Sequence, residues 1–468
     1  MGRVSSVAAI GASPTIAVAV PGLIDSHTHP LQAGLERLLV DLRDAGSVAD
    51  ALERIASRLA QGRGEGLLLA FNLEPDALAE RRYVATVELD RVAPDLPLLV
   101  YRVDGHSAVT NSAGYRLLDS AGWRFKPAKD GVLRGQAYEM ASFAFRRRLS
   151  PELIRQALAV AADAAAAAGV TTLGAMVGDP ELTMAEWQAL VDGLASGKVR
   201  AVPYLQTWDV AVARHFGLAQ VGGCLLVDGS FGSRTAWLNQ GYVDAPGNSG
   251  RGYLTDEKLT RFIAEARAAG LLTAFHAIGD RAVEQVVRCH ESQNTSVPGH
   301  RIEHAEMLSG ELIGRIAKQG VHLGVQPAFE AEWGGPDRMY ASRLGERWRS
   351  TNPYRDLLDA GVDLAGGSDW PITAIDPLGG IRAAVNHPNA AQRITPAEAL
   401  AMFTTGAAGA LGLADEIGTI EPGRSADITL LDADPRDGPG ARVIATCVCG
   451  EWVHIGLPEL WRGAVSDA

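Results

Sequence analysis

The chain of 468 residues is 47% hydrophobic, contains four cysteines and carries a formal net charge of −12 at pH 7. The length allows a large core and a second small domain, and the composition is typical of a soluble globular protein. The negative charge argues against nucleic acid and anionic membranes as partners. Because four cysteines do not make a disulfide framework in so long a chain, we expect a cytoplasmic protein. Gly11, Ser13 and Pro14 interrupt the apolar stretch 7–20, which argues against a signal peptide or membrane span.

The first predicted elements are two short strands, 3–7 and 15–20. They are too few to form a sheet alone, so a partner sheet is expected elsewhere in the chain. The next strand, 23–29, ends in His27 and His29. Side chains two residues apart on a strand point to the same side, so both histidines can reach one metal ion. Such a pair is weak evidence alone and needs further ligands downstream.

A long segment, 31–168, follows this strand. Ser47 is typical of the residue that caps the start of a helix. A buried strand, 96–103, leads into a loop that contains Arg102 and His106. The loop is interpreted either as a polar turn or as a substrate-contacting loop, and its residues alone favour neither.

From residue 170 onward, predicted strands and helices alternate regularly. The predicted strands are 170–176, 199–206, 223–228, 271–276, 300–304, 321–326 and 362–368. Apolar strands separated by helices are typical of a parallel sheet with helices outside it. Together with strand 23–29 they form eight strand–helix units, which predict a closed (β/α)8 TIM barrel. Segment 31–168, about 140 residues, is far longer than an ordinary loop, and we predict a cap-like insertion between barrel strands 1 and 2.

The carboxyl-terminal part of the chain has a different pattern. Segments 418–431 and 443–455 alternate in polarity and contain glycine and proline turns, which predicts strands of a small β domain. The N-terminal strands would complete it. We therefore predict a small β domain from 1–22 and 415–468, and a barrel domain over 23–414.

Four histidines and one aspartate stand at the carboxyl ends of predicted barrel strands: His27, His29, His276, His304 and Asp369. Functional sites of such barrels lie at that end. One such histidine alone would be interpreted as a core residue, but all five together predict a metal site. Nitrogen and oxygen ligands suit zinc, with manganese, iron and nickel as less favoured alternatives. The remaining histidines, except His106, are interpreted as structural or surface residues.

Several motifs resemble the amidohydrolase superfamily: PGLIDSHTH at 21–29, HAIGD at 276–280, RIEHAE at 301–306 and GSDWP at 367–371. The last three, with DGSFGSRTA at 228–236, resemble its amidohydrolase-3 branch, which includes N-substituted formamide deformylases. The resemblance covers nearly the whole chain. It implies an α/β fold, namely a distorted (β/α)8 TIM barrel with a small β-sandwich domain formed by both chain termini. It also implies a metal-dependent hydrolase.

One position departs from the family pattern. Binuclear members of the superfamily usually carry on the fourth strand a carboxylated lysine that bridges two metals, and the matching position here is Cys224. A thiolate can bind zinc and bridge two ions, and the related D-aminoacylases are similar in using a cysteine there. The alternative is a small buried residue beside a single metal ion. Asp228, four residues later, is predicted to be a metal ligand in place of Cys224 or a substrate contact.

The resemblance and the ligand set predict an amidohydrolase that cleaves a non-peptide C–N bond. The substrate would be an N-acyl, N-formyl or cyclic amide, attacked by a metal-activated water with Asp369 as general base. The alternative on the same site is a mononuclear deaminase or an ester hydrolase. An alternative of another class is a catalytically inactive metal-binding scaffold subunit, against which the presence of Asp369 argues.

Residues near the strand ends are predicted to contact the substrate: Arg102, His106, Asp228, Arg234, Gln326 and Trp370. Among them, His106, Arg102 and Arg234 are candidate donors to the oxyanion that forms during hydrolysis. The expected partner is a small molecule, which no motif identifies. The sequence leaves open the number of metal ions, one or two, and a homo-oligomeric state.

Overall fold

The computed structural model describes residues 2–4, 18–62, 66–103, 105, 107–120, 122, 129–134, 136–293, 299–438 and 440–457. Most of the predicted strand 3–7, the first half of strand 15–20 and His106 lie outside these ranges. The chain divides into two compact units. The first unit comprises Met1–Pro30, Ala162–Glu181 and Leu194–Ala468, and the second comprises Leu31–Ala161 and Leu182–Gly193. The domain limits given above from the sequence stay a prediction.

The strands of the described residues are numbered in chain order. They are β1 Val18–Pro21, β2 Leu23–Thr28, β3 Val40–Asp41, β4 Leu68–Leu73, β5 Leu98–Arg102, β6 Ser107–Thr110, β7 Leu133–Arg134, β8 Val170–Val177, β9 Arg200–Leu205, β10 Gln220–Leu226, β11 Leu272–Ala277, β12 Arg301–His304, β13 His322–Val325, β14 Leu364–Gly366, β15 Ile428–Leu431, β16 Val443–Val448 and β17 Glu451–Ile455. Each of the eight predicted barrel strands has a counterpart in this series, namely β2 and β8 to β14.

The α-helices are numbered in the same way. They are α1 Pro30–Leu38, α2 Val48–Ala60, α3 Thr86–Val92, α4 Ser112–Ser120, α5 Gln136–Arg146, α6 Pro151–Ala167, α7 Met184–Ala195, α8 Val210–His215, α9 Asp256–Ala268, α10 Asp280–Glu291, α11 Gly310–Gln319, α12 Pro327–Trp333, α13 Met339–Leu344, α14 Tyr354–Asp359, α15 Pro377–Val385, α16 Pro396–Met402 and α17 Thr405–Ala410. Ser47 caps α2 as predicted, because its side chain accepts a hydrogen bond from the N–H of Asp50. Among the described residues, no helix is long and apolar enough to cross a membrane.

Two parallel sheets form the centre of the first unit. One contains β2, β8 and β9, and the other contains β10 to β14, with hydrogen-bonded neighbours following each other in chain order. Every residue of β2 and β8 is buried, as expected for parallel strands that are covered on both faces. The predicted α/β fold with parallel strands is therefore confirmed.

The core of the first unit lies between these strands and their helices. Phe262 and Ile263 of α9, Val283 and Val286 of α10, and Phe275 of β11 belong to one buried hydrophobic cluster. The buried residues of α9 recur at the spacing of one helix face, namely Leu259, Phe262, Ile263 and Ala266. This packing anchors the strands whose carboxyl ends carry the predicted ligands.

Both ends of the chain contribute to one antiparallel sheet in the order β1-β15-β16-β17. Val18 pairs with Leu431 and Pro21 with Ile428 in its first ladder. The predicted joining of the two termini is present. Within the described residues this region forms a single sheet, so the structure does not show the second layer of the predicted sandwich.

The second unit has its own five-stranded sheet in the order β3-β4-β5-β6-β7. Strands β3 to β5 are parallel, whereas β6 and β7 join antiparallel. Its core is a separate buried cluster that includes Ile55, Leu68, Leu89, Leu98 and Val100. This segment is therefore a compact body rather than an extended loop.

Candidate metal centre

The first unit brings together all six side chains that the sequence predicts as metal ligands. They are His27, His29, Cys224, His276, His304 and Asp369. Three overlapping groups of three have their ligand atoms within 4.8 Å of one another: His27, His29 and Cys224; Cys224, His276 and His304; and His27, His304 and Asp369. The six residues therefore form one cluster, in which Cys224 belongs to two of the three groups.

The shortest contacts in the cluster involve Asp369. Its Oδ1 atom lies 3.2 Å from Nε2 of His27 and 3.2 Å from Nε2 of His29. On the other side, Sγ of Cys224 lies 3.7 Å from Nδ1 of His276. Thr28, between the two histidines of β2, turns the other way and donates to the carbonyl of Gly174 at 2.9 Å. The strand alternation predicted from the sequence is thus confirmed.

Several ligand atoms of the cluster lack a hydrogen-bond partner and could bind a cation. Nε2 of His27, Nε2 of His304 and Oδ1 of Asp369 are buried and make no hydrogen bond within the described part of the chain. Leaving buried polar atoms without partners is costly, so such atoms usually have a ligand or water. The donor set of imidazole nitrogen, thiolate sulfur and carboxylate oxygen is the set that zinc prefers.

The opposite nitrogens of two of these histidines are already occupied. Nδ1 of His27 lies 2.7 Å from Oε2 of Glu303, and Nδ1 of His304 lies 2.8 Å from Oε1 of Gln326. Because both oxygens accept, each ring keeps a proton on Nδ1, and Nε2 is the nitrogen that would bind a metal. Such outer hydrogen bonds orient metal-binding histidines.

Charges within the cluster shift its pKa values strongly. Burial raises the pKa of Cys224 and of Asp369, but the surrounding histidines outweigh burial and lower both pKa values well below their ordinary range. Burial lowers the pKa of His29, but Asp369 and Cys224 outweigh burial and raise it to about 9. Burial also lowers the pKa of His276, but Cys224 and Asp228 raise it to about 9. Burial lowers the pKa of His27 as well, but Glu303 and Asp369 outweigh burial and raise it well above its ordinary value. The cluster therefore pairs two anions with three protonated rings, and a metal cation would replace the protons on its ligand nitrogens.

Two of the candidate ligands have unusual backbone conformations. His304 has φ of +74° and Asp369 has φ of +55°, in the left-handed region that residues with a side chain rarely adopt. Such conformations cost about 1–3 kcal/mol each and persist when surrounding contacts hold them. Here the N–H of Asp369 donates to the carbonyl of His27 at 2.9 Å. The backbone is thus held where the Asp369 carboxylate meets the two histidines of β2.

A family model described as the amidohydrolase family matches residues 17–454 of this chain. The chain belongs to the amidohydrolase family. YtcJ of Bacillus subtilis, an amidohydrolase by its name, is 30% identical over 459 residues, which cover 90% of this chain and 84% of YtcJ. The N-substituted formamide deformylase of Arthrobacter pascens is 24% identical, with 89% of this chain and 84% of that protein covered.

A solved structure supports the same assignment. An uncharacterized metal-dependent hydrolase from Pyrococcus horikoshii matches with a TM-score of 0.77 and 27% identity, covering 90% of this chain and 87% of that chain. The predicted resemblance and the prediction of an enzyme are confirmed. This amidohydrolase is a metal-dependent hydrolase, and the inactive scaffold subunit is not favoured.

Asp228, the predicted alternative ligand, accepts three backbone hydrogen bonds in this amidohydrolase. Its carboxylate accepts hydrogen bonds from the N–H groups of Trp237, Ile278 and Gly279 at 2.8–2.9 Å. Burial raises the pKa of Asp228 to about 6. The carboxylate therefore joins the loop after β10 to the end of β11, and its Oδ1 lies 3.8 Å from Nε2 of His276.

The other predicted substrate contacts have diverse surroundings. Gln326 bonds to His304, as described above. Arg234 forms an ion pair with Asp244 at 2.7 Å. Trp370 is buried, and its carbonyl accepts a hydrogen bond from the N–H of His29 at 2.7 Å. Their contacts with a substrate stay predictions.

Two predicted contacts belong to the segment of the second unit. Arg102 forms an ion pair with Glu74 at 3.1 Å within that unit. His106 lies outside the described residues. The roles of both residues at a substrate also stay predictions.

The sequence motifs do not identify Glu303 as a partner of His27. A signal was present, because the buried strand β12 contains charged residues, and buried charges require partners. The partner itself lies on β2, far away in the chain, so only the fold identifies it.

Proposed function

We propose that this amidohydrolase hydrolyses a non-peptide C–N bond, in an N-acyl or N-formyl amide, with Asp369 as general base. The observation that carries the proposal is the position of Asp369 Oδ1, 3.2 Å from both His27 Nε2 and His29 Nε2, in a buried cluster with unused ligand atoms. The N-formyl amide follows from the name of the Arthrobacter pascens relative.

His27, His29, Cys224, His276, His304 and Asp369 would hold the metal, for which we propose zinc. A thiolate among imidazole and carboxylate ligands favours zinc over manganese or iron. Because Cys224 belongs to both the group with His27 and the group with His276, we propose that its thiolate would be a ligand shared by the two groups. When bound, the metal supplies a Lewis acid that lowers the pKa of water and polarises the scissile carbonyl.

Asp369 moves the proton in the proposed reaction. Its pKa, held well below the ordinary value by His27 and His29, leaves the carboxylate ionised at neutral pH. It can therefore accept a proton from the attacking water and deliver it to the amine nitrogen as the C–N bond breaks. His27 and His29 keep the carboxylate in position for both transfers.

We further propose that β2 and β8 to β14 close into a distorted TIM barrel. A parallel bridge between Thr28 and Trp370 joins the first strand to the segment after the last. The hydrogen bond from Asp369 to His27 supports the same closure. A cytoplasmic location is proposed because Cys224, Cys289, Cys447 and Cys449 are all free thiols.

The proposal is tested by hydrolysis of a matched panel of model compounds. N-formyl, N-acetyl and ester derivatives of the same alkyl group are assayed with the zinc-loaded enzyme and with enzyme treated with a chelator. We expect release of amine from the amides, its loss on chelation and its return with zinc. Turnover of the ester alone, or turnover of the amides without metal, would contradict the proposal.

A further inference from the structure

Strand β12 contains a buried ion pair next to His27 of the candidate metal centre. Arg301 and Glu303 are both 0% exposed. Nε of Arg301 lies 2.9 Å from Oε1 of Glu303, and Nη2 donates to Oε2 at 2.9 Å. Burying two charges carries a desolvation cost, and such a pair is often no more stable than apolar side chains in its place. A contribution to the stability of the fold therefore does not by itself explain why this ion pair is present.

The guanidinium of Arg301 also contacts two other strands. Nη2 donates to the carbonyl of Ser26 at 3.1 Å, and Nη1 donates to the hydroxyl of Tyr204 at 3.2 Å. Ser26 directly precedes His27 on β2. One nitrogen of Arg301 thus contacts both the backbone before His27 and the carboxylate that bonds to the His27 ring.

The neighbouring strand leaves space for this pair. Gly324 of β13 stands opposite Glu303 in the parallel register. A Cβ atom at Gly324 would lie 2.0 Å from Oε2 of Glu303 and 2.7 Å from Nη2 of Arg301. Both distances are far below a van der Waals contact, so any larger residue would displace the carboxylate from His27.

We propose that Arg301 and Glu303, in the space that Gly324 leaves open, are positioning residues that set the orientation of His27 for metal binding. Glu303 accepts a hydrogen bond from the Nδ1–H of His27, so Nε2 faces the metal centre. Arg301 holds both Glu303 and the backbone at Ser26. This inference rests on the metal centre proposed above and adds residues that contact neither metal nor substrate.

The test is Gly324→Ala, with Gly314→Ala as a matched control. Gly314 lies on α11, and a Cβ there meets nothing within 4 Å. Zinc affinity is measured by competition with a chromophoric chelator, and the site geometry by the visible absorption spectrum of the cobalt-loaded protein. We expect zinc affinity to fall about 10- to 100-fold in Gly324→Ala, as for other losses of outer hydrogen bonds to metal ligands. We also expect a changed cobalt spectrum in this variant and no change in either readout for the control.

A second variant covers the case in which Gly324→Ala does not fold, as judged by circular dichroism. Glu303→Gln keeps the shape of the side chain but removes the charge that pairs with Arg301, and it should show the same two changes. A folded variant of either kind with wild-type zinc affinity and an unaltered cobalt spectrum would overturn the inference alone. A wild-type protein that binds no metal would overturn the proposed function as well.

Discussion

Oδ1 of Asp369 lies 3.2 Å from Nε2 of His29, although the two residues are far apart in the sequence. The contact exists because the segment after β14 lies beside the end of β2, where the N–H of His29 donates to the carbonyl of Trp370. The proposed base and a candidate metal ligand are thereby placed together by backbone hydrogen bonds as well as by their own side chains.

Replacing the proposed base should remove turnover. Asp369→Asn keeps the shape of the side chain but cannot accept a proton, so we expect kcat for an N-formyl amide to fall about 100- to 10,000-fold. Asp363→Asn is the control, since that aspartate has a 72% exposed side chain. Initial rates of amine release measure the effect. Full turnover by a metal-loaded Asp369→Asn enzyme would show that another group is the base.

Zinc affinity should rise with pH up to about 9. The pKa values of His29 and His276 are raised to about 9, and a metal binds only the neutral ring, so both protons must leave below that pH. The pKa of His27 is also raised well above its ordinary value. Titration calorimetry at pH 7 in buffers of different ionisation enthalpy counts the released protons, and we expect about three per centre.

Two histidine variants separate this effect from general pH dependence. His29→Gln should release about one proton fewer, because one protonated ring is missing. His215→Gln, at an exposed position, should behave as the wild type. Constant zinc affinity between pH 7 and 9 without proton release would refute the charge assignment of the cluster.

Asp228 should contribute to stability through its three backbone hydrogen bonds. In Asp228→Asn, one acceptor oxygen is replaced by an amide donor that faces N–H groups, and a buried N–H then loses its partner. We expect the free energy of unfolding to fall by about 1–3 kcal/mol. Urea unfolding of the apo-protein, with exposed Asp363→Asn as reference, measures the change. Equal unfolding midpoints for the two variants would mean that these bonds contribute little.

The part of the site that follows from local pattern could be predicted from the sequence. The alternation of β2 predicts that His27 and His29 share one side, and apolar strands ending in His276 and His304 predict their place at one edge. The general α/β fold follows from the regular alternation of strands and helices for the same reason.

The part that depends on distant contacts could not be predicted. Nothing in the residues around Asp228 shows that its carboxylate accepts from Ile278 and Gly279, since those donors are brought near only by the fold. The left-handed backbone of Asp369 is likewise maintained by β2 rather than by local sequence. The pairing of Glu303 with His27 also depends on a contact between residues far apart in the sequence.

The metal content of the purified, zinc-reconstituted protein is the decisive property of the proposed centre. Measurement by mass spectrometry of wild type and Cys224→Ala, with Cys289→Ala as the control for a buried thiol outside the cluster, gives the number of ions per chain. We predict two ions in the wild type and in Cys289→Ala, and one or none in Cys224→Ala. One ion in all three proteins would contradict the shared thiolate ligand, and no metal in the wild type would contradict the metal centre itself.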